Sequence, residues 1–276
     1  MSFPLQDVEG KSGKIVCFEA YGVRVGITSE YTSFLEKLAS QINELFPVGI
    51  KNIENTDITQ LFTVFKNGRK VGFQKNNEER SEAAKEDNVF KFLLTKIRLT
   101  VAEFAVSKVF VHAGVVIWKE KALVFPGNSF SGKTTLVREL IRRGAIYFSD
   151  EYAIFDHEGL VHPFPKTLSL RGIKNDYTQV EHTAEELGAK TGTEPRPVGM
   201  VLFSEFDEDA IWNPQPLSKG EGVLKIISFT LPIRIAPAFS LEVLHKSLER
   251  AAVCESKRGE AANVADELID YFEKKL

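Results

Sequence analysis

The segment from Ala122 to Leu140 constrains the fold of this chain more than any other. Its apolar run, Ala122–Phe125, suits a buried strand, and the apolar spacing of Thr135–Arg143 predicts a helix. The polar loop between them matches G-x-x-x-x-G-K-[ST], a pattern whose glycines let backbone N–H groups turn towards a ligand. A strand, loop and helix in this order predict a phosphate-binding loop. A structural glycine turn is the simpler alternative.

The loop offers residues for each part of a nucleotide phosphate site. The candidates for nucleotide binding are consecutive: Gly127, Asn128, Ser129, Phe130, Ser131, Gly132, Lys133, Thr134 and Thr135. Lys133 has the length to reach the β- and γ-phosphates, and the Thr134 hydroxyl is a candidate Mg²⁺ ligand. The positive end of the helix dipole adds to this attraction for anions. The loop therefore predicts ATP and Mg²⁺ as cofactors.

Two adjacent acids, Asp150 and Glu151, end the apolar run that follows the loop helix. An acid at a strand end beside a phosphate loop can hold Mg²⁺ or accept the proton of an attacking hydroxyl. Both residues are therefore candidate catalytic and metal-binding residues. Successive strand residues point to opposite faces, so both acids face the nucleotide only if the strand ends or bends there. An exposed acidic turn is the alternative interpretation.

Composition limits the class of ligand. The chain has 276 residues, 43% of them hydrophobic, and a net charge of −3, so it can bury a substantial core and lacks the positive field of a nucleic-acid or anionic-membrane binder. No signal peptide or membrane span is evident, which predicts a cytoplasmic protein. Cys17 and Cys254, the two cysteines, are predicted to be buried thiols in a reducing compartment.

Patterning along the chain predicts an α/β protein with two domains. Residues 1–95 read as a small α+β domain with a hairpin turn at Asn67-Gly68 and a possible role in recognising the acceptor. Residues 96–276 read as the nucleotide-binding domain, rich in strands around one helix and followed by two or three C-terminal helices. The apolar spacing of those helices suits packing or a homo-oligomer interface.

The elements HAG at His112, GNSFSGKTT, SDE at Asp150 and LRG at Arg171 resemble the catalytic domain of the HPr kinase/phosphorylase-related family. The resemblance is clear over residues 110–172 and loose beyond them. It implies a fold similar to phosphoenolpyruvate carboxykinase and ATP-dependent phosphorylation of a serine hydroxyl. It also implies that Asp150 is the catalytic acid/base, Glu151 a metal-binding or orienting neighbour, His112 a residue near the transferred phosphate, and Arg171 a nucleotide-site arginine.

The chain also departs from that family. It has GKTT where the family reads GKSE, an Asp-Glu pair where the family has two aspartates, and Ser169 where the signature around Arg171 begins with glutamate. The first hundred residues show no similarity to the N-terminal domain of HPr kinases. The resemblance therefore predicts a kinase whose acceptor is a hydroxyl of a protein, peptide or small molecule other than HPr.

Several of these residues also have a structural interpretation without a role in catalysis or binding. His112 lies in an apolar strand, where a structural histidine is an equal alternative, and Lys166 suits solvated surface better than phosphate contact. His157 and His162 flank a turn and are predicted to be surface residues. The alternative function is a nucleotide-binding regulatory or accessory protein without turnover. A carboxykinase-like enzyme is a weaker third, because further metal ligands and substrate-binding arginines are not identifiable.

Overall fold

The computed structural model describes residues 3–8, 13–68, 70–83, 85–128, 131–171 and 179–276. Contacts divide the chain into two compact units, Met1–Ser107 and Lys108–Leu276. The boundary expected after residue 95 would fall inside the helix Glu86–Phe104, which belongs wholly to the first unit. Both units contain strands and helices, so the protein has a mixed α/β fold.

The described residues of the first unit form one mixed sheet and two helices. Its elements are β1 (Gln6–Asp7), β2 (Lys14–Ala20), β3 (Val23–Ser29), α1 (Thr32–Leu45), β4 (Ile50–Asn52), β5 (Gln60–Asn67), β6 (Lys70–Lys75), β7 (Ser81–Ala83) and α2 (Glu86–Phe104). The strand order is β1-β2-β3-β5-β6-β7, with β4 paired to β2. The predicted hairpin is confirmed, because β5 and β6 pair antiparallel around the Asn67-Gly68 turn.

Apolar residues at helical spacing hold the first unit together. The inner face of α1 buries Phe34, Leu38 and Ile42, and α2 buries Phe90 and Ile97 among others. The rings of Phe34 and Phe90 meet edge to face, with centroids 5.3 Å apart. The apolar faces of α1 and α2 thus meet in one core.

The second unit carries the predicted phosphate loop. Its elements are β8 (Val109–Trp118), β9 (Lys121–Pro126), α3 (Lys133–Arg142), β10 (Ile146–Ser149), β11 (Tyr152–Phe155), β12 (Leu160–His162), β13 (Leu168–Arg171), β14 (Gln179–His182), β15 (Arg196–Phe206), β16 (Gln215–Pro216), α4 (Lys219–Ile227), a 3₁₀ helix (Leu231–Arg234), α5 (Pro237–Leu248), β17 (Ala252–Arg258) and α6 (Ala261–Glu273). Strands β13 and β14 form a separate hairpin, and the other strands form one sheet.

Four strands of this sheet end at the same edge. β9 and β10 are both antiparallel to β8, while β9 and β17 are both parallel to β15. The four strands β9, β10, β15 and β17 therefore run in one direction. Ligands of α/β sheets bind outside the carboxyl ends of such strands, because loops and helix N-termini converge there. A ligand-binding site is therefore expected at this edge of the sheet.

Helices cover both faces of the sheet. Leu123 and Phe125 of β9 pack into a core with α3 and α6, whereas Ala122 and Val124 pack into a core with α4 and α5. The predicted C-terminal helices are present as α4, α5 and α6. The expectation that helices alone follow β15 is wrong, because β17 lies between α5 and α6 in the chain and pairs with β15. That pairing is a long-range contact.

Both cysteines are buried free thiols, as predicted. Burial raises the pKa of Cys17 to about 11 and that of Cys254 to about 12, so neither is a reactive thiolate at neutral pH. Within the described residues, no helix combines the length and the apolar character that a membrane crossing requires.

Candidate phosphate-binding and catalytic site

The predicted phosphate loop joins β9 to α3 at the edge where the four strands end. The Gly127 N–H donates to the carbonyl oxygen of His112 at 3.2 Å, which ties the start of the loop to β8. A Cβ on Gly127 would lie 2.7 Å from Ser131 Oγ, so the loop closes this tightly only on glycine. Gly132 has a φ of +82° and immediately precedes α3. The first N–H groups of α3 lack helical partners and attract anions.

The Lys133 side chain folds back over the first residues of the loop. Its side chain is buried, and Nζ donates to the carbonyl oxygens of Gly127 at 2.8 Å and Asn128 at 2.7 Å. Burial lowers the pKa of this ammonium to about 8, and the negative charge of Asp150 opposes that shift. Carbonyl oxygens carry no full charge to neutralise the mostly protonated amine. A negatively charged ligand would therefore stabilise the charged form of this buried amine.

Arg258, the last residue of β17, is a functional candidate that the sequence interpretation missed. The residue is 1% exposed, and its guanidinium donates through Nη2 to the Gly132 carbonyl at 2.9 Å and through Nη1 to the Gly259 carbonyl at 3.0 Å. A Cβ on Gly132 would lie 2.5 Å from Nη2, so the glycine makes room for the arginine. Nε is buried without a hydrogen-bond partner among the described residues. A second buried cation thus fixes the end of the loop.

Asp150 follows β10 and reaches the first turn of α3. Its Oδ2 accepts a hydrogen bond from Thr134 Oγ1 at 3.2 Å, and its Oδ1 lies 3.3 Å from the Tyr147 hydroxyl. Burial and the negative charge of Glu151 raise the pKa of Asp150 to about 6, against the lowering effect of Lys166 and both hydroxyls. At pH 7 the carboxylate is mostly ionised but more basic than usual. This combination suits a proton acceptor.

The strand ends at the acidic pair, which is the condition under which both acids can face one site. β10 ends at Ser149 and β11 begins at Tyr152, so Asp150 and Glu151 occupy the turn between them. Glu151 Oε2 lies 3.0 Å from Lys166 Nζ. The preference for Lys166 as solvated surface is therefore wrong, because the turn brings it to the acids. The backbone carbonyl of Lys166 also accepts a hydrogen bond from the Tyr147 hydroxyl at 2.7 Å.

His112 lies on β8 beside the loop, where its carbonyl accepts the Gly127 N–H. Burial and the positive charge of Lys133 lower the pKa of the imidazole to about 4, with Glu151 opposing the shift. The ring is therefore neutral at physiological pH, and its centroid lies 6.3 Å from that of Tyr152. A neutral imidazole can hydrogen-bond a phosphate oxygen or an acceptor hydroxyl. Its catalytic role stays a prediction.

Four of the residues predicted to bind the nucleotide have no site contact that the structure describes. Ser129 and Phe130 lie outside the described residues, as does the side chain of Arg171, whose backbone pairs with Gln179 in the β13–β14 hairpin. Thr135 is half-buried in the first turn of α3. The roles assigned to these four residues in nucleotide binding stay predictions.

The two histidines of the β11–β12 region differ. His157 is exposed, as predicted. His162 is half-buried, and its Nε2 lies 2.6 Å from Asp156 Oδ2 and 3.0 Å from Lys108 Nζ. The prediction of a surface residue is therefore wrong for His162. The antiparallel pairing of β11 with β12 agrees with the predicted turn, whereas the contact with Lys108, 54 residues away in the chain, was not visible in the local pattern.

Two oxygens at the start of α3 fit a shared cation. Mg²⁺ in nucleotide sites is held by one or two protein oxygens together with phosphate oxygens and water. Thr134 Oγ1 and Asp150 Oδ2, 3.2 Å apart, form such a pair, whereas Glu151 is engaged by Lys166. Among the described residues, no group of three or more His, Cys, Asp or Glu could hold a metal ion. Thr134 and Asp150 are thus the better suited of the three predicted Mg²⁺ ligands.

This chain resembles known proteins in structure but matches none by sequence. No protein-family model matches this chain, and no curated protein matches it. Among solved structures, the HPr(Ser) kinase/phosphatase from Coxiella burnetii aligns with 60% of this chain and 97% of its own, at a TM-score of 0.35 and 11% sequence identity. A similarity this remote assigns neither an activity nor a substrate. The functional conclusion therefore rests on the residues of the site.

Proposed function

We propose that this protein binds ATP with Mg²⁺ at the loop Gly127–Thr134 and transfers the terminal phosphoryl group to a hydroxyl. The observation that carries the proposal is the contact between Asp150, whose pKa is raised to about 6, and the Thr134 hydroxyl at the start of the loop helix. The buried ammonium of Lys133 lies at the same helix end. A proton acceptor and a cation for phosphates at one place are what phosphoryl transfer requires.

Each group has a defined task in this reaction. The acceptor oxygen forms a bond to the terminal phosphorus while the bond from that phosphorus to the bridging oxygen breaks, which releases the nucleoside diphosphate. The proton of the hydroxyl passes to a carboxylate oxygen of Asp150. Lys133 and the N–H groups of α3 stabilise the charge on the phosphate oxygens. Mg²⁺, held by Thr134 and Asp150, would supply further charge neutralisation when bound.

The acceptor in this proposal is a protein, peptide or small molecule other than HPr. Support comes from Ser169, which stands where the family signature has glutamate, and from a first hundred residues unlike the N-terminal domain of HPr kinases. With HPr from the same source, if that source encodes one, we expect a kcat/KM below about 10⁴ M⁻¹s⁻¹, roughly the lower end for ordinary enzymes. A higher value on a serine of HPr would contradict this choice of acceptor.

Labelling with terminally labelled ATP, Mg²⁺ and an extract of the source cell tests the reaction. We expect the wild type to label at least one species and Asp150→Asn to lose at least about 100-fold of that rate, because asparagine cannot accept the proton. The variant should keep nucleotide affinity within about tenfold, or 1.4 kcal/mol. The matched control is Asp209→Asn, an exposed aspartate outside the site. Equal labelling by wild type and Asp150→Asn would exclude Asp150 as the base, and binding without labelling would favour the regulatory alternative.

A further inference from the structure

A cavity of about 840 Å³ opens beside the phosphate loop. Pro126, Gly127 and Asn128 form one wall, and the ends of β15 and β17 contribute others, so the cavity lies at the edge where the parallel strands end. Its volume falls within the range of small-molecule sites, about 300 to 1,000 Å³. None of the residues assigned to phosphoryl transfer on the Asp150 side lines it.

We infer that this cavity holds the nucleoside part of the bound triphosphate. The inference rests on the proposed function, since the loop must first anchor the phosphates. A nucleotide held there by its phosphates has to extend to one side of β9. On the β10 side lie Asp150, the buried Tyr147 and the Lys166–Glu151 ion pair. On the β15 side lies the cavity, which directly adjoins Gly127.

Aromatic rings in the cavity wall suit a nucleobase. Phe203, Phe206 and Phe229 all line it. The rings of Phe203 and Phe229 are half-buried, with centroids 6.4 Å apart and planes 30° apart, and Phe206 is 42% exposed. The Phe203–Phe229 separation is too small for a base to enter between the rings, so the base would contact their cavity side. Every base has a flat π-face that stacks on such rings.

Three of the four charged side chains of the wall are in ion pairs, and the fourth is the exposed acid Glu205, which would repel an anion. Lys225 forms an ion pair with Glu255, and Lys257 lies 3.0 Å from Asp207 Oδ2. The exposed amide of Gln215 donates to the carbonyl of Asn213 at 3.3 Å, and both side chains line the cavity. An amide offers both a donor and an acceptor, as the edge of a purine requires. An uncharged heterocycle fits this wall better than a second phosphate or an acidic peptide.

Calorimetry of the full chain with two probes, Mg-ATP and Mg-tripolyphosphate, tests the inference. Tripolyphosphate has the phosphates of ATP but no nucleoside. We expect Phe206→Ala combined with Phe229→Leu to weaken ATP binding at least about tenfold and to change tripolyphosphate binding less than about twofold. Asn213→Ala, at an exposed position, is a second variant with little risk to folding and the same expected direction. Phe92→Ala, at a half-exposed phenylalanine of the first unit, is the matched control and should change neither affinity.

The outcomes separate this inference from the proposed function. ATP affinity that survives in both variants, or a loss shared equally by ATP and tripolyphosphate, overturns the nucleoside site and leaves nucleotide binding at the loop standing. A wild type that binds neither probe overturns the proposed function and the inference with it. Selective loss of ATP affinity in both variants supports the assignment of the cavity.

Discussion

Asp150 and Arg258 both contact the phosphate loop, and they do so from opposite sides of β9. β8 separates β9 from β10 and its following Asp150, whereas β15 separates β9 from β17, which ends in Arg258. Asp150 meets the hydroxyls of Thr134 and Tyr147 and the charge of Glu151. Arg258 meets backbone carbonyl oxygens. On one side of the loop, burial therefore raises the proton affinity of the Asp150 carboxylate. On the other side, the buried Arg258 guanidinium holds backbone carbonyl oxygens in place.

The difference between the two sides has a chemical origin. A carboxylate with a pKa near 6 gains or loses its proton close to physiological pH, so its neighbours can adjust its reactivity. A guanidinium keeps its charge at every physiological pH and presents donors in a rigid fork, so it serves to hold acceptors in place. Substitutions on the Asp150 side should alter turnover and its pH dependence. Substitutions on the Arg258 side should alter stability and nucleotide affinity.

The largest effect on binding is expected at Lys133, which belongs to the loop that Asp150 and Arg258 contact from opposite sides. Lys133→Ala should reduce ATP affinity at least about 100-fold, or 2.7 kcal/mol, because the phosphates lose their buried cation. The free energy of unfolding should change by less than about 3 kcal/mol, since the loss is confined to hydrogen bonds with two loop carbonyls. Calorimetry and denaturant unfolding measure the two quantities. Lys119→Ala, at an exposed lysine, is the control, and unchanged ATP affinity in Lys133→Ala would contradict the assignment.

The next effect concerns Arg258 and separates its volume from its hydrogen bonds. Arg258→Ala should lower the free energy of unfolding by about 3 kcal/mol, because it empties a fully buried site. Arg258→Met retains most of the volume and should cost less than Arg258→Ala, the remaining cost being the lost hydrogen bonds to the Gly132 and Gly259 carbonyls. Both variants should bind ATP about tenfold more weakly, because the Gly132 carbonyl loses the donor that ties the loop to β17 and keeps only the Leu136 N–H. Denaturant unfolding and calorimetry provide the measurements.

A double-mutant cycle with Gly132→Ala checks that Arg258 and Gly132 act through direct contact. The new Cβ would lie 2.5 Å from the Arg258 guanidinium. The alanine would also have to adopt the positive φ of Gly132, which is unfavourable for a residue with a side chain. In the Arg258→Met background only the cost of φ should remain, so Gly132→Ala should destabilise less there. Equal costs in both backgrounds would show that the arginine does not shape the loop.

The smallest effect is a pair of opposite shifts on the Asp150 side. The kcat/KM should rise with pH as Asp150 loses its proton, through about 6 without bound metal and at a lower pH with Mg²⁺ held by Asp150, and this rise is the acidic limb of the pH profile. Glu151→Gln removes a charge that raises this pKa, so the limb should move to lower pH. Tyr147→Phe removes a hydrogen bond that lowers the pKa, so the limb should move to higher pH. Each shift should be at most about one pH unit in a kcat/KM profile. Shifts in the same direction would show that Asp150 does not define the limb.

Local features of this protein could be predicted from the sequence because their causes are local. The loop glycines, the apolar run before them and the helical spacing after them lie within twenty residues or so, and the structure has β9 over Lys121–Pro126 and α3 over Lys133–Arg142. The hairpin turn at Asn67-Gly68 has the same origin, since turn chemistry depends on adjacent residues. The acidic pair could likewise be singled out from its place after an apolar run.

Arg258 shows what local patterning misses. The segment Ala252–Arg258 lies in the region where only helices were expected, and its partial alternation and charged end do not mark it as a strand. It becomes a strand by pairing with β15, where Ala252 lies beside Met200 and Arg258 beside Phe206. That pairing joins residues far apart in the chain, and a buried arginine is stabilised only where carbonyl acceptors from another segment are available.

The sequence by itself thus determined the candidate phosphate loop, its flanking strand and helix, and the candidate acid at Asp150. Tertiary structure alone decided which charges are buried beside the loop, that Lys166 and Tyr147 join the acidic pair, and that a cavity with aromatic walls adjoins Gly127. The physical reason is that turns and helices depend on neighbours in the chain, whereas burial, pKa shifts and cavities depend on strand pairings that bring distant segments to one edge of the sheet.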